Sequence, residues 1–198
     1  NAILTSGFHN EINFVDDILW MGNSYVLHKF DDYKVIDSAQ KLEKNQFQEE
    51  CNDEDLMVFS FYPTKPLGGL DGGMIVTNDK SKYEYYKSAV LNGMSYSDNN
   101  WDRKIAFPGF KMYLSSFQAE FILRNFETFE KKQMSLGRIR DIYNKELGYA
   151  NTSTHLYVIH VTNNKSFLNR LKDNGIMAGI HYPPLHLNKI YAQGNKFN

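Results

Sequence analysis

The sequence predicts an α/β fold, and three observations carry that prediction. Short apolar runs at residues 33–36, 56–61 and 74–77 have the length and the aromatic or β-branched content of strands. Helical or polar stretches separate them, and this alternation favours a sheet flanked by helices. A long segment after Leu114 repeats apolar residues at helical spacing.

In order, residues 2–5 predict a short strand stopped by Ser6 and Gly7. Asn13 or Asp16 predicts the start of a helix through Val15, Ile18 and Leu19, closed by Gly22 and Asn23. Residues 25–30 fit either a helix or a strand. Asp31 and Asp32 mark a turn, and 33–36 predicts a strand ending at Asp37. Residues 38–55 are polar and predict irregular chain with one helical turn. The strands at 56–61 and 74–77 enclose a turn at Pro63, a lysine at Lys65, a second turn at Pro66, and Gly68, Gly69, Gly72 and Gly73.

Residues 81–91 predict a helix, and 92–107 a long polar loop containing Trp101 and Arg103. Loops of that length in a compact domain are usually functional or disordered. Ser115 with Gln118 forms a capping-box pattern. The stripe Leu114, Phe117, Phe121, Ile122, Phe126, Phe129 continues through Leu136, Ile139, Tyr143 and Leu147 to Gly148. It predicts one long helix with a break near 134–137. Beyond it, 155–161 predicts a strand, 166–172 a helix capped by Asn174 and Gly175, and 176–181 a second strand.

Composition narrows the function. Lys plus Arg number 22 and Asp plus Glu 23, so a nucleic-acid footprint is not expected, and there is no basic run suited to an anionic membrane. No apolar run approaches the length of a membrane span. A single cysteine, Cys51, rules out a disulfide framework within the chain and points to a reducing, cytoplasmic compartment. No signal peptide is visible. The chain opens at Asn1, directly before a strand-like run, which predicts a fragment whose N-terminal part is missing.

Lysines mostly occupy solvated faces, so a lysine between two turns at the end of a buried strand is unusual. In a parallel α/β sheet, ligands bind where the carboxyl ends of strands gather. Asp37, Ser60 and Lys65 fall at or near such ends, with Gln40 close by. A lysine, a carboxylate, an amide and a hydroxyl together suit pyridoxal phosphate. The same residues also fit a purely structural reading: a loop lysine, a turn cap, a solvated amide and a strand hydroxyl. His181 and His186 form a poor metal pair, separated by Pro183 and Pro184 and lacking a third ligand.

Four separated motifs extend this reading. S-F-Y-P-T-K-P-L-G-G-L-D-G-G-M-I-V-T-N-D (60–79) resembles the active-site segment of the DegT/StrS sugar-nucleotide aminotransferases. V-I-D-S-A-Q (35–40), P-G-F-K-M-Y-L-S-S-F-Q-A (108–119) and G-I-H-Y-P-P-L-H (179–186) resemble further segments of that family, in the family's order. The resemblance implies a fold-type I architecture: the second half of a mainly parallel-sheet cofactor-binding domain at 1–112, a long connecting helix at 113–148, and a partial small α/β domain at 149–198. It implies pyridoxal phosphate bound as a Schiff base on Lys65. Asp37 would partner the pyridine nitrogen, Gln40 would lie beside the ring, and Ser60 would bind the phosphate.

Lys111 matches a position that reaches the cofactor phosphate of the neighbouring subunit in a homodimer with shared active sites. Tyr113 departs from the usual Asn or Arg. Trp101, Arg103, His181, Tyr182 and His186 are expected at a nucleotide-sugar pocket. The implied reaction moves an amino group, from glutamate, to a nucleotide-linked keto-deoxyhexose in the cytoplasm. The alternative is a truncated or degenerate non-catalytic homologue serving as an assembly partner, motivated by Tyr113 and the missing halves.

Overall fold

Leu56 and Met57 have no exposed surface, and they begin the strand around which the sheet forms. Burying each contributes roughly 1.5–3 kcal/mol. The computed structural model describes residues 22–95 and 102–180. The strand predicted at 2–5 and the helix predicted from Asn13 or Asp16 fall on residues 1–21, outside the described residues. The chain divides into two compact units, Asn1–Val158 and Ile159–Asn198.

The first unit holds a four-stranded sheet in the order β1 (Tyr25–Lys29), β2 (Lys34–Asp37), β3 (Leu56–Ser60), β4 (Gly73–Val76). The parallel pairing expected for the sheet is found at β2 and β3, with Val35 opposite Leu56 and Asp37 opposite Val58. The outer strands make the described sheet mixed: β1 runs antiparallel to β2, and β4 antiparallel to β3. The connection between β3 and β4, residues 61–72, holds no helix and closes on itself through Phe61 N to the Gly72 carbonyl, so β4 returns antiparallel. The one helical turn predicted within 38–55 is α1 (Gln46–Glu50).

Asp55 sets the start of the parallel pair. It is 2% exposed, and a buried carboxylate must be compensated. It accepts from the backbone N–H of Lys34 (2.9 Å) and of Asn52 (2.7 Å), and the Lys34 ammonium lies 3.6 Å away. These contacts tie the first residue of β2 to the turn before β3.

Asp79 caps α2 (Lys80–Ala89) by accepting from the N–H groups of Ser81 and Lys82. Part of the loop predicted at 92–107 is a two-stranded ribbon: β5 (Met94–Ser95) pairs with β6 (Lys104–Ile105). The ribbon is drawn in by a close backbone approach at Gly93, which has φ of +72° and whose added Cβ would lie 1.8 Å from the Phe107 carbonyl oxygen.

The capping box forms as predicted at α3 (Ser116–Glu127): Ser115 Oγ accepts from Gln118 N at 3.2 Å, and Gln118 Oε1 from Ser115 N at 3.1 Å. α4 (Phe129–Leu147) follows and ends at Gly148 with φ of 71°. The break lies at Thr128, not at 134–137. Thr128 Oγ1 donates back to the Asn125 carbonyl, a local bond that competes with the helical ladder. Gly137, alone inside α4, costs about 1 kcal/mol relative to Ala, too little to interrupt a 19-residue helix. Ile122 of α3 joins Ile36, Phe47, Met57, Phe59, Phe61 and Leu67 in the core.

In the second unit, α5 (Asn164–Asp173) begins at Asn163, whose side chain accepts from Ser166 N at 2.9 Å. Gly175, with φ of 77°, follows its end, as Asn174 and Gly175 predict. The flanking strands predicted at 155–161 and 176–181 are absent from the described part of those segments. A strand is defined by a hydrogen-bonded neighbour, and these segments find none among the described residues.

Candidate active site

The parallel register brings the carboxyl ends of β2 and β3 to one edge, at Asp37 and Ser60. Past Asp37 the chain is held by its own side chains. Asp37 Oδ1 accepts from Ala39 N at 2.8 Å, an Asx turn. Ser38 N donates to the Val58 carbonyl at 2.8 Å, which extends the ladder by one bond. Buried Ser38 donates from Oγ to the Lys41 carbonyl (2.9 Å) and accepts from Gln46 Nε2 of α1 (2.6 Å). α1 therefore braces the turn that delivers Gln40. Gln40 is 8% exposed, and its side-chain oxygen Oε1 is buried without a hydrogen-bond partner.

β3 continues into the loop that carries Lys65. Phe61 N donates to the Gly72 carbonyl and Gly69 N to the Phe61 carbonyl, each at 2.8 Å, so the loop closes on the strand end. Within it, Lys65 N donates to the Tyr62 carbonyl at 2.9 Å. Ser60 Oγ accepts from Tyr62 N at 3.3 Å. The glycines have a packing function: a Cβ on Gly68 would lie 2.4 Å from the Pro63 carbonyl oxygen. Lys65 is half-buried, and burial lowers its ammonium pKa below the usual lysine value, while the Asp37 carboxylate partly opposes that shift. Lys65, Asp37, Gln40 and Ser60 are thus gathered at one edge of the sheet.

Lys111 and Arg103 are placed differently. Lys111 is exposed, forms a bridge with Leu91, and sets its ammonium 5.9 Å from the Tyr113 ring centroid. Arg103 is exposed immediately before β6. Trp101, His181, Tyr182 and His186 lie outside the described residues. Among the described residues, no group of three or more His, Cys, Asp or Glu could hold a metal, and no helix is long and apolar enough to cross a membrane.

Sequence reasoning missed Asn125, whose Nδ2 donates to the Gly68 carbonyl at 2.6 Å. A signal was present: Asn125 is a polar residue inside the apolar stripe, three after Ile122 and four before Phe129. A groove of about 350 Å³ adjoins this contact, bounded by Pro63, Pro66, Leu67, Phe121, Phe129 and Lys132. Lys65, Asp37 and Gln40 do not line it.

A family model for the DegT/DnrJ/EryC1/StrS aminotransferases matches residues 35–197. The chain belongs to this aminotransferase family. The match takes in Asp37, Gln40, Ser60 and Lys65. Among relatives of this DegT-family chain is the spore coat polysaccharide biosynthesis protein SpsC of Bacillus subtilis, 29% identical over 165 residues, covering 70% of the chain and 42% of SpsC. A solved DegT DnrJ EryC1 StrS aminotransferase from Brucella abortus is 26% identical with a TM-score of 0.64, covering 80% of the chain and 45% of that protein. Helicobacter pylori PseC, an aminotransferase of pseudoaminic acid biosynthesis, is 26% identical with a TM-score of 0.57, covering 70% of the chain and 42% of PseC. The DegT-family chain spans less than half the length of each of these three proteins. The fold-type I architecture expected from the motifs is the architecture of its structural neighbours.

Proposed function

We propose that this chain is the lysine-bearing part of a pyridoxal-phosphate-dependent aminotransferase that passes an amino group from glutamate to a nucleotide-linked keto-deoxysugar. The observation that carries the reading is Lys65: a half-buried amine whose proton is loosened by burial, held beside Asp37 where two parallel strands end. The residues present fit the cofactor. The unpartnered buried oxygen of Gln40 marks an amide waiting for a polar group, and a carboxylate, a hydroxyl and a reactive amine share its edge.

When bound, pyridoxal phosphate would supply an aldehyde for the amine and a ring that withdraws electrons from the reacting carbon. Lys65, through Nζ in its deprotonated form, would hold the aldehyde end of that group, and the same amine would move a proton at the reacting carbon. The Asp37 carboxylate would hold a proton at the ring nitrogen. Gln40 would donate through Nε2 to the ring oxygen, and Ser60 Oγ, with Lys111 of a neighbouring copy in a homodimer, would bind the phosphate. Trp101, Arg103, His181, Tyr182 and His186 bind the nucleotide sugar; a guanidinium suits its diphosphate. In this reading residues 1–112 belong to the cofactor-binding domain, 113–148 connect, and 149–198 belong to the small domain of a cytoplasmic enzyme. Membership of the aminotransferase family and the likeness to SpsC and PseC support a sugar-linked acceptor.

The full-length protein, loaded with pyridoxal phosphate and given glutamate, should shift its cofactor absorbance to the aminated form, and a keto-sugar nucleotide should shift it back. The Lys65→Ala protein should show no turnover. An absent shift, or turnover retained by Lys65→Ala, contradicts the proposal.

A further inference from the structure

We propose that Asn125 is a positioning residue for Lys65. Asn125 sits on α3 and donates through Nδ2 to the Gly68 carbonyl, 57 positions away in sequence. Gly68 and Pro63 are in backbone contact so close that a Cβ on Gly68 would lie 2.4 Å from the Pro63 carbonyl oxygen. Lys65 is carried between those two points, and its own N–H is fixed to the Tyr62 carbonyl. The segment from Tyr62 to Gly68 is therefore a closed unit, anchored at one end by Leu67 in the core and by Gly69 N on the Phe61 carbonyl, and its remaining freedom of orientation is a tilt about those anchors.

Two contacts from α3 constrain that orientation, and they differ in kind. Ile122 packs over Gly69, where an added Cβ would lie 2.7 Å from Ile122 Cγ1. Such a contact is non-directional and tolerates sliding. The Asn125 bond is directional, because a carbonyl accepts near its own plane within a narrow distance range. Asn125 thus sets the tilt of the lysine loop, and with it the depth to which Lys65 is buried at the edge beside Asp37. Burial is what disfavours the charged form of a lysine, so the loop's tilt controls the fraction of reactive amine.

This inference rests on reading Lys65 as the reactive amine, and the test separates the two. The full-length protein is acetylated with trace acetic anhydride across a range of pH, with the lysine side-chain amine of an N-terminally blocked peptide as internal standard, and the Lys65 peptide is quantified by mass spectrometry. In the wild-type protein, half-maximal reactivity of Lys65 is expected at lower pH than in the standard. Asn125→Ala should move that midpoint up toward the standard, and Asn125→Gln, which keeps an amide donor, should restore part of the difference. Ile122→Val is the stability control: it should lower the melting temperature and leave the Lys65 midpoint in place. Should Asn125→Ala not fold, Asn125→Leu, which keeps about the same side-chain size, adds no charge and removes the donor, is read in its place.

A Lys65 midpoint unchanged in a donorless variant, whatever its melting temperature, makes the role of Asn125 merely structural and overturns the proposal. A wild-type Lys65 that titrates with the standard overturns the reading of Lys65 itself, and the proposal with it.

Discussion

At Lys65, burial loosens the ammonium proton and the Asp37 carboxylate tightens it, with burial the larger influence. The balance gives a prediction with a definite sign. Asp37→Asn removes the tightening influence, so Lys65 should lose its proton at still lower pH, while retention of pyridoxal phosphate weakens. The pH dependence of Lys65 acetylation, measured beside cofactor binding, checks both; a midpoint that stays or rises contradicts the coupling. Gln40 bears on stability as well as on binding. A buried polar atom left without a partner costs about 1–3 kcal/mol, so its oxygen is a liability to stability before any ligand arrives. Gln40→Leu should therefore raise the cofactor-free unfolding free energy by about 1 kcal/mol and lower affinity for pyridoxal phosphate. Urea unfolding and a binding titration test the pair, and a variant that is both less stable and equally avid would contradict the assignment.

The elements around the site owe their positions to local bonds that the sequence discloses unevenly. The capping box of α3 and the glycine stop of α4 were legible because each is a short pattern with a fixed spacing. The break at Thr128 was not: it depends on a single side-chain bond to a carbonyl three residues back, which spacing does not reveal. Residues 155–161 and 176–181 read as strands from their own side chains, and a segment's own side chains cannot supply a partner strand. α1 is held by a polar cluster with a pH signature. Burial pushes the Glu50 carboxyl up, but hydrogen bonds from Lys41 and Ser24, with the Lys41 charge, bring it net below the usual 4.5. For Lys41, burial works downward, and its bonds to Glu50 and Glu43 carry it net above 10.5.

A lowered carboxyl contributes stability that is complete above 4.5 and is lost as pH falls through the folded-state value. A raised ammonium contributes below 10.5 and loses its contribution as pH rises through the folded-state value. The difference in urea midpoint between wild type and Glu50→Gln should accordingly be present at neutral pH and shrink below 4.5. A difference independent of pH would show that the cluster acts by packing alone.

Across the whole molecule, the site is assembled from segments distant in sequence: the end of β2, the end of β3 with its loop, and α3, which locks that loop from 57 residues away. The first two were legible as the places of Asp37, Gln40, Ser60 and Lys65 in the candidate site, since strand ends of a parallel pair meet at one edge. The third was not, since a helix stripe shows which face is apolar and not which loop it meets. In the proposed reading this architecture makes Lys65, among the lysines of the chain, the one that reacts with pyridoxal phosphate. The most direct measurement is to incubate the full-length protein with limiting pyridoxal phosphate, reduce with borohydride, digest, and locate the added mass. The expected result is label concentrated on the Lys65 peptide and strongly diminished in the Asp37→Asn protein. Label spread evenly over exposed lysines such as Lys111, with Lys65 unmodified, would contradict it.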